Sequence, residues 1–176
     1  MVSEKRYKRK SIRLKDYDYS QPGAYFITIC TNKRVCLLGS IENGGMILND
    51  TGRIVEKWWL KLPDKFPNIE LDIYGVMPNH LHGIIFIINN VGADPCVCPE
   101  IMNKGEHIGS PLQITLAQMV KWVKTMSTNE YIRNVKHNDW QPFLQKFWQR
   151  NYYEHIIRNE KELNYICEYI YYNPLK

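Results

Sequence analysis

The chain has 176 residues, 44% of them hydrophobic and 12% aromatic, which supports one folded domain and excludes an intrinsically disordered chain. Its longest apolar run, residues 84–88, is far too short to cross a bilayer, and the basic N-terminus lacks the apolar segment of a signal peptide. We therefore predict a soluble, cytoplasmic protein without membrane contacts, whose five irregularly spaced cysteines are free thiols.

The positive charge is concentrated at the N-terminus. Residues 1–15 hold seven Lys or Arg and one Glu, a net of +6, and because the whole chain carries +5 the remainder is at −1. We predict a basic arm over residues 1–20 and a single domain over residues 21–176. Either a solvated tail or a nucleic-acid-binding arm would explain this charge. If the arm binds nucleic acid, it contacts phosphates through Lys8, Arg9, Lys10, Arg13 and Lys15.

Strand and helix patterns alternate along the predicted domain. Period-two alternation and turn residues predict strands at residues 25–31, 35–38 paired with 46–48, 69–77, and 80–88. Helical spacing and capping residues predict helices from residue 49 or 50 to 62, from 112 to about 135, and from about 159 to 173. The segment 89–111 is predicted to be a loop. This order predicts an α+β fold in which helices cover an antiparallel sheet.

The pattern His80-Leu81-His82 begins the last of these strands and is the sharpest chemical signal in the sequence. Residues i and i+2 of a strand point to the same face, so both imidazoles can approach one metal ion. A catalytic ion would need a further ligand, and an oxygen donor suits Mg²⁺ or Mn²⁺. Two polar residues at the start of a solvent-facing strand would give the same pattern.

The last predicted helix carries tyrosines beside its apolar stripe. Tyr169 and Asn173 have i, i+4 spacing, which places them one above the other on the helix. A tyrosine hydroxyl could then lie beside an amide oxygen able to coordinate a cation, and tyrosine attacks a phosphodiester once a cation neutralises its charge. Tyrosines on amphipathic helices more often serve packing, so that interpretation stays open.

Aromatic and basic side chains alternate just before this helix. Such interleaving is typical of surfaces that stack on unpaired bases and contact phosphates. A hydrophobic cluster linking two helices would explain it equally well. The candidate DNA contacts in this segment are Trp148, Gln149, Arg150, His155 and Arg158.

Taken together, four blocks of the sequence resemble the single-tyrosine HUH transposases of insertion sequences, and among them the REP-associated tyrosine transposases. They follow the family's order from the first predicted strand onwards. Their sequences are GAYFIT at residues 23–28, VMPNHLHG at 76–83, FWQR at 147–150 and EYIYYNP at 168–174.

The resemblance implies a ferredoxin-like, RRM-like sheet with the histidines on a central strand and the nucleophile on the C-terminal helix. It implies that His80, His82 and Asn173 hold Mg²⁺ or Mn²⁺, and that Tyr169 forms a 5′-phosphotyrosine bond. The implied substrate is single-stranded DNA with imperfect hairpins, which is cut and rejoined. Monomer and homodimer are both compatible with it.

Two other functions remain compatible with the sequence. A protein derived from a transposase scaffold could bind hairpin DNA or RNA without cutting it. A zinc hydrolase built on the histidine pair would need an acidic third ligand, for which Asp72 and Glu168 are nearest to the motifs. Tyr152 and Tyr153 are alternative nucleophiles to Tyr169.

Overall fold

The computed structural model describes residue 14, residues 17–88 and residues 114–173. The five basic residues predicted to contact phosphates from the arm, and the loop predicted at residues 89–111, lie outside this part of the chain. The strands are β1 (Gly23–Cys30), β2 (Gly39–Glu42), β3 (Gly45–Leu48), β4 (Ile69–Met77), β5 (His80–Ile87) and β6 (Tyr153–Ile157). The helices are α1 (Asp50–Leu60), α2 (Leu62–Lys65), α3 (Leu116–His137) and α4 (Glu160–Tyr172).

Four strands form one antiparallel sheet in the order β4-β5-β1-β6. With α1 between β1 and β4, and α3 between β5 and β6, the connections follow the β-α-β-β-α-β pattern of ferredoxin-like folds. Strand β5 has a partner on each side, so the histidine pair lies on a central strand. The predicted fold class is confirmed. No helix in the described ranges is long and apolar enough to cross a membrane.

The two faces of this sheet are covered differently. Alternation along β1 sends Tyr25, Ile27 and Ile29 to one face, where they join a large buried cluster with residues of α1 and α3. Ala24 and Phe26 point the other way and join a smaller cluster with α4. We call these the core face and the site face.

The core face is closed by tight contacts. Trp59 of α1 is fully buried, and a Cβ atom added to Gly83 of β5 would lie 2.6 Å from its Cζ2 atom. Helices α1 and α3 are joined by Glu130, whose carboxylate accepts hydrogen bonds from Lys57 Nζ (2.8 Å) and Trp58 Nε1 (2.6 Å). The small residue at Gly83 therefore lets a large aromatic side chain lie directly on the central strand.

The first strand of the small hairpin was predicted four residues too early. Residues 35–38 lie outside the hairpin, which pairs β2 with β3. Asn43 and Gly44 both have positive φ, 51° and 76°, as a two-residue hairpin turn requires. This turn fixes the register at Glu42 opposite Gly45. Leu38 is buried, and its backbone bonds Pro78 and Asn49 instead of a strand partner.

Strand β6 was not predicted, and the segment before α4 was interpreted as a surface or as a cluster linking two helices. In the structure β6 pairs with β1, with Ala24 opposite Ile157 and Thr28 opposite Tyr153. Near the other end of the domain, Tyr17 packs against the core cluster, and its hydroxyl lies 3.1 Å from that of Tyr25. The last residues of the predicted arm therefore contact the domain.

Candidate active site

The two histidines lie side by side on the site face of β5. Their ring centroids are 5.0 Å apart, and His82 is fully buried. Across the sheet, His82 is opposite Thr28 of β1 and Gly75 of β4. The pair therefore stands on rigid, doubly hydrogen-bonded backbone, as a precisely placed ligand set needs.

Neither ring nitrogen of His82 has a hydrogen-bond partner among the described residues. A buried polar atom without a partner costs about 1–3 kcal/mol, so such a group usually has a functional reason. Burial, reinforced by the neighbouring charge of His80, lowers the pKa of His82 to about 4. The imidazole is therefore neutral at pH 7 and offers a nitrogen lone pair, which is the form that binds a metal.

The ring of His80 is oriented by its neighbour in sequence. Its Nδ1 atom lies 2.7 Å from the Oδ1 atom of Asn79. An amide oxygen only accepts hydrogen bonds, so Nδ1 carries the proton and Nε2 holds the lone pair. Burial, followed by the charge of Arg34, lowers the pKa of His80 below its usual value. Asn79 belongs to the VMPNHLHG block, but no role was predicted for it from the sequence.

Gly75 is a second site residue that sequence reasoning missed. A Cβ atom added at this position would lie 2.8 Å from the Nε2 atom of His82. Only glycine leaves room for the ring at this spacing. The signal that could have identified it is the strand register, because the turn at 78–79 places Gly75 directly opposite His82.

Helix α4 brings Tyr169 to the histidines. Ile166 and Ile170 anchor the helix in the small buried cluster of the site face. The ring of Tyr169 lies 5.7 Å from that of His82 and 6.2 Å from that of Phe26, measured between centroids. Tyr169 is 39% exposed, so its ring reaches both the histidine pair and solvent. A single chain thus brings Tyr169 next to the histidine pair.

Asn173 follows one helical turn after Tyr169. Its backbone keeps helical dihedral angles (φ −58°, ψ −42°), so it continues the face of α4 that carries Tyr169. Its side chain is half-buried. No group of three His, Cys, Asp or Glu side chains suited to a metal occurs among the residues the structure describes. Among the described residues there is thus no acidic third ligand of the kind that a zinc hydrolase would need beside the histidines.

The structure places the DNA-contacting residues predicted before α4 in three different environments. Trp148 is buried, and its Nε1 atom donates to Ser127 Oγ (3.1 Å), a contact that the sequence did not predict. Its ring fills the core because the backbone here is fixed to β1 on both sides of it. Thr31 pairs with Trp148, and the N–H of Gln149 donates to the carbonyl of Cys30.

Gln149 and Arg150 line a groove of about 650 Å³ between α3 and residues 143–152. The described residues that line it include no carboxylate, and the cationic side chains among them are Lys121, Lys124, Lys146 and Arg150. Lys124 donates to the carbonyls of Gln149 and Asn151, both at 2.9 Å, which fixes the wall of the groove. Its partial burial lowers the pKa of Lys124 to about 8. We call this feature the basic groove.

His155 and Arg158 lie at the opposite end of α4 from Asn173. The Nε2 atom of His155 is 2.6 Å from Glu162 Oε1, and the backbone N–H of Arg158 donates to Glu162 Oε2 at 2.8 Å. Of the alternative nucleophiles, Tyr152 lies in the basic groove, and Tyr153 packs 6.2 Å from Phe26 on the site face. Tyr169 is the tyrosine in contact with His82.

Known proteins resemble this chain in sequence and in fold. No protein-family model matches the chain. A Haemophilus influenzae protein described as uncharacterized is 42% identical over 175 residues, which is 95% of this chain and 88% of that one. A second H. influenzae protein, named provisionally as a REP-associated tyrosine transposase, is 55% identical over 29 residues, 16% of each chain. The solved structure of a REP-associated tyrosine transposase bound to a REP hairpin superposes with a TM-score of 0.58 at 21% identity, covering 93% of this chain and 72% of that chain.

Proposed function

Because this chain belongs to one family with the uncharacterized H. influenzae protein and has the fold of a REP-associated tyrosine transposase, we propose that it is a transposase-type nuclease that cuts and rejoins single-stranded DNA. One observation carries the proposal. His82 is buried, and its two ring nitrogens have no partner among the described residues; it lies beside His80 and 5.7 Å from the ring of the half-exposed Tyr169. Packing alone gives no reason for this arrangement.

The residues present fit a divalent cation. His80 and His82 would supply two nitrogen ligands, and Asn173 an amide oxygen. Mg²⁺ or Mn²⁺ bound there would neutralise the charge of the scissile phosphate and leave positions open for its oxygens. The hydrogen bond from His80 Nδ1 to Asn79 holds one ligand in the required tautomer.

Tyr169 would then act as the nucleophile. Its hydroxyl oxygen attacks the phosphorus in line, a phenol oxygen–phosphorus bond forms, and the bond to the 3′ oxygen breaks. The phenol proton passes to solvent, which reaches the ring, and the departing strand end takes up a proton as a 3′-OH. The product is a 5′-phosphotyrosine bond. Attack by a 3′-OH on the same phosphorus reverses these steps and reseals the strand without an external energy source.

The basic groove supports DNA binding as part of the proposal. Lys121, Lys146 and Arg150 are exposed there, and no carboxylate occurs among the described lining residues, so phosphates would be attracted along the groove. We propose that Gln149 and Arg150 bind DNA there, and that Arg158, exposed before α4, extends the contact. The basic arm would add the contacts predicted for its lysines and arginines, and the imperfect hairpin would be the duplex part of the substrate.

Covalent capture tests the chemistry. The full chain is incubated with Mn²⁺ and single-stranded hairpin DNA from the flanks of its own gene, labelled at the 3′ end that a 5′-phosphotyrosine bond would retain, then separated on a denaturing gel. We expect a labelled band of protein size with the native chain and none with Tyr169→Phe, which keeps the ring and removes the nucleophile. Tyr171→Phe is the matched control, because Tyr171 lies on the same helix and is 69% exposed.

The outcome separates two functions. A labelled band that persists in Tyr169→Phe would show that another residue attacks. Tight hairpin binding with no band in either Mg²⁺ or Mn²⁺ would instead establish a binding protein that does not cut DNA. In that case the salt dependence of hairpin binding would be the same as for an active enzyme, because the basic groove is separate from the histidines.

A further inference from the structure

A pocket of about 500 Å³ opens on the site face between α4 and the strands β1 and β6. Four aromatic rings line it, those of Phe26, Tyr153, Tyr165 and Tyr169. His155 and Glu162 close the end that is formed by the first turn of α4. Neither the packing of the core nor the proposed cleavage step requires aromatic walls and a polar end at this place. We call this feature the aromatic pocket.

We propose that the aromatic pocket binds the base of an unpaired nucleotide next to the scissile phosphate. This inference rests on the proposed function, since it assigns a subsite to the same DNA strand. It concerns the position of the strand and not the chemistry of cleavage.

The aromatic walls are suited to a flat heteroaromatic ring. The rings of Tyr153 and Tyr169 both meet Phe26 edge-on, with centroids 6.2 Å away. Tyr165 and Tyr153 are 71% and 52% exposed, so they present large apolar surfaces that core packing does not use. Stacking of bases on such exposed aromatic side chains is the usual way in which proteins hold unpaired nucleotides.

The polar end favours a base over a phosphate. Glu162 accepts hydrogen bonds from the backbone of Arg158 and from His155, and these contacts hold the pKa of its carboxyl below the usual value. The carboxylate is therefore charged at neutral pH and repels a phosphate. It is able to accept a hydrogen bond from the amino group of a base, as carboxylates do with cytosine.

The pocket and the histidines share one residue. Tyr169 forms part of the pocket wall and also contacts His82. A base held against one side of this ring therefore belongs to a nucleotide adjoining the phosphate that its hydroxyl would attack. Binding energy from the base would place the phosphate in line with the nucleophile.

The test measures binding and does not depend on cleavage. The full chain carrying Tyr169→Phe is titrated with labelled hairpin DNA, either intact or with one abasic nucleotide at each unpaired position beside the hairpin. We expect one position at which loss of the base weakens binding by about fivefold or more. Adding Tyr165→Ala should abolish this difference between the two DNAs, and Tyr165→Phe should retain it.

Tyr171→Ala is the matched control, because Tyr171 is 69% exposed against 71% for Tyr165 and lies outside the pocket. The proposal is overturned if Tyr165→Ala and Tyr171→Ala show the same penalty for the abasic DNA, or if no position gives a penalty. A chain that binds no intact hairpin would contradict the proposed function as well, and that failure appears before any abasic DNA is compared.

Discussion

On each face of the sheet one glycine leaves room for a ring, and the two rings have opposite effects on stability. On the core face, Gly83 leaves space for the indole of Trp59, which belongs to a large and continuous apolar cluster. On the site face, Gly75 leaves space for the imidazole of His82, whose nitrogens have no partner in the described structure. The contact between Gly83 and Trp59 adds to the stability of the fold. The contact between Gly75 and His82 admits a buried imidazole that reduces this stability.

This difference shows how the fold tolerates an unfavourable site. The free energy of unfolding comes mainly from the core face, where α1 and α3 exclude water from the sheet. On the site face, the described structure shows α4 packed on the sheet through a cluster of only six buried residues, so this face contributes less buried apolar surface. Functional sites commonly carry such a cost. The predictions below test this division, ranked by their expected effect on the free energy of unfolding.

Trp59→Ala should have the largest effect. The variant leaves a cavity under β5 and should lower the free energy of unfolding by about 3–5 kcal/mol. Urea denaturation followed by tryptophan fluorescence and circular dichroism measures this change. Tyr171→Ala, on the exposed side of α4, should change it by less than about 0.5 kcal/mol. Similar losses in both variants would show that the core face does not dominate stability.

Acid should have the next largest effect, through His82 in the metal-free protein. Its pKa falls from 6.5 to about 4 on folding, so the unfolded chain takes up the proton first. The contribution of the neutral ring is therefore complete above about pH 6.5 and is lost as the pH falls towards 4. The loss amounts to at most about 3 kcal/mol. The native chain should lose more stability than His82→Leu as the pH is lowered from 7 to 4.5, so the difference in the free energy of unfolding between the two should widen. Parallel curves would refute the assignment.

At pH 7 the same His82→Leu variant should be more stable than the native chain, by about 1–2 kcal/mol, because it removes buried nitrogens without partners. It should also lose cleavage and the increase in Tm on adding Mn²⁺. His80→Leu is the control on the same strand. It should lose the response to Mn²⁺ but gain no stability, since His80 already bonds Asn79. Destabilisation by His82→Leu would mean that the ring contributes to packing.

The sequence predicted those parts of the site that depend on local spacing. The i, i+2 histidines and the i, i+4 pair of Tyr169 and Asn173 follow directly from strand and helix geometry. That α4 lies on the same face as the histidines came only from the family resemblance. Local pattern could not place the helix there, because its contacts are with strands distant in sequence.

The sequence did not predict strand β6, the burial of Trp148 or the correct bounds of the hairpin. Strand β6 includes Glu154 and His155, which interrupt the apolar pattern, and it forms only because β1 supplies a distant partner. The burial of Trp148 was not predicted, because it follows from backbone pairing with Thr31, which is distant in sequence. Residues 35–38 resemble a strand in composition, yet the turn at Asn43 and Gly44 fixes the hairpin further along. Non-local pairing decided the first two cases, and a local turn decided the third.

Strand β5 has a consequence for how this family can change over time. Its even-numbered residues His80 and His82 face the site, and its odd-numbered residues Leu81 and Ile85 face the core. An insertion or deletion of one codon within the strand would exchange the two sets, burying imidazoles under Trp59 and exposing leucine to the substrate. We expect relatives to differ in this strand by substitution, and to differ in length only at its ends.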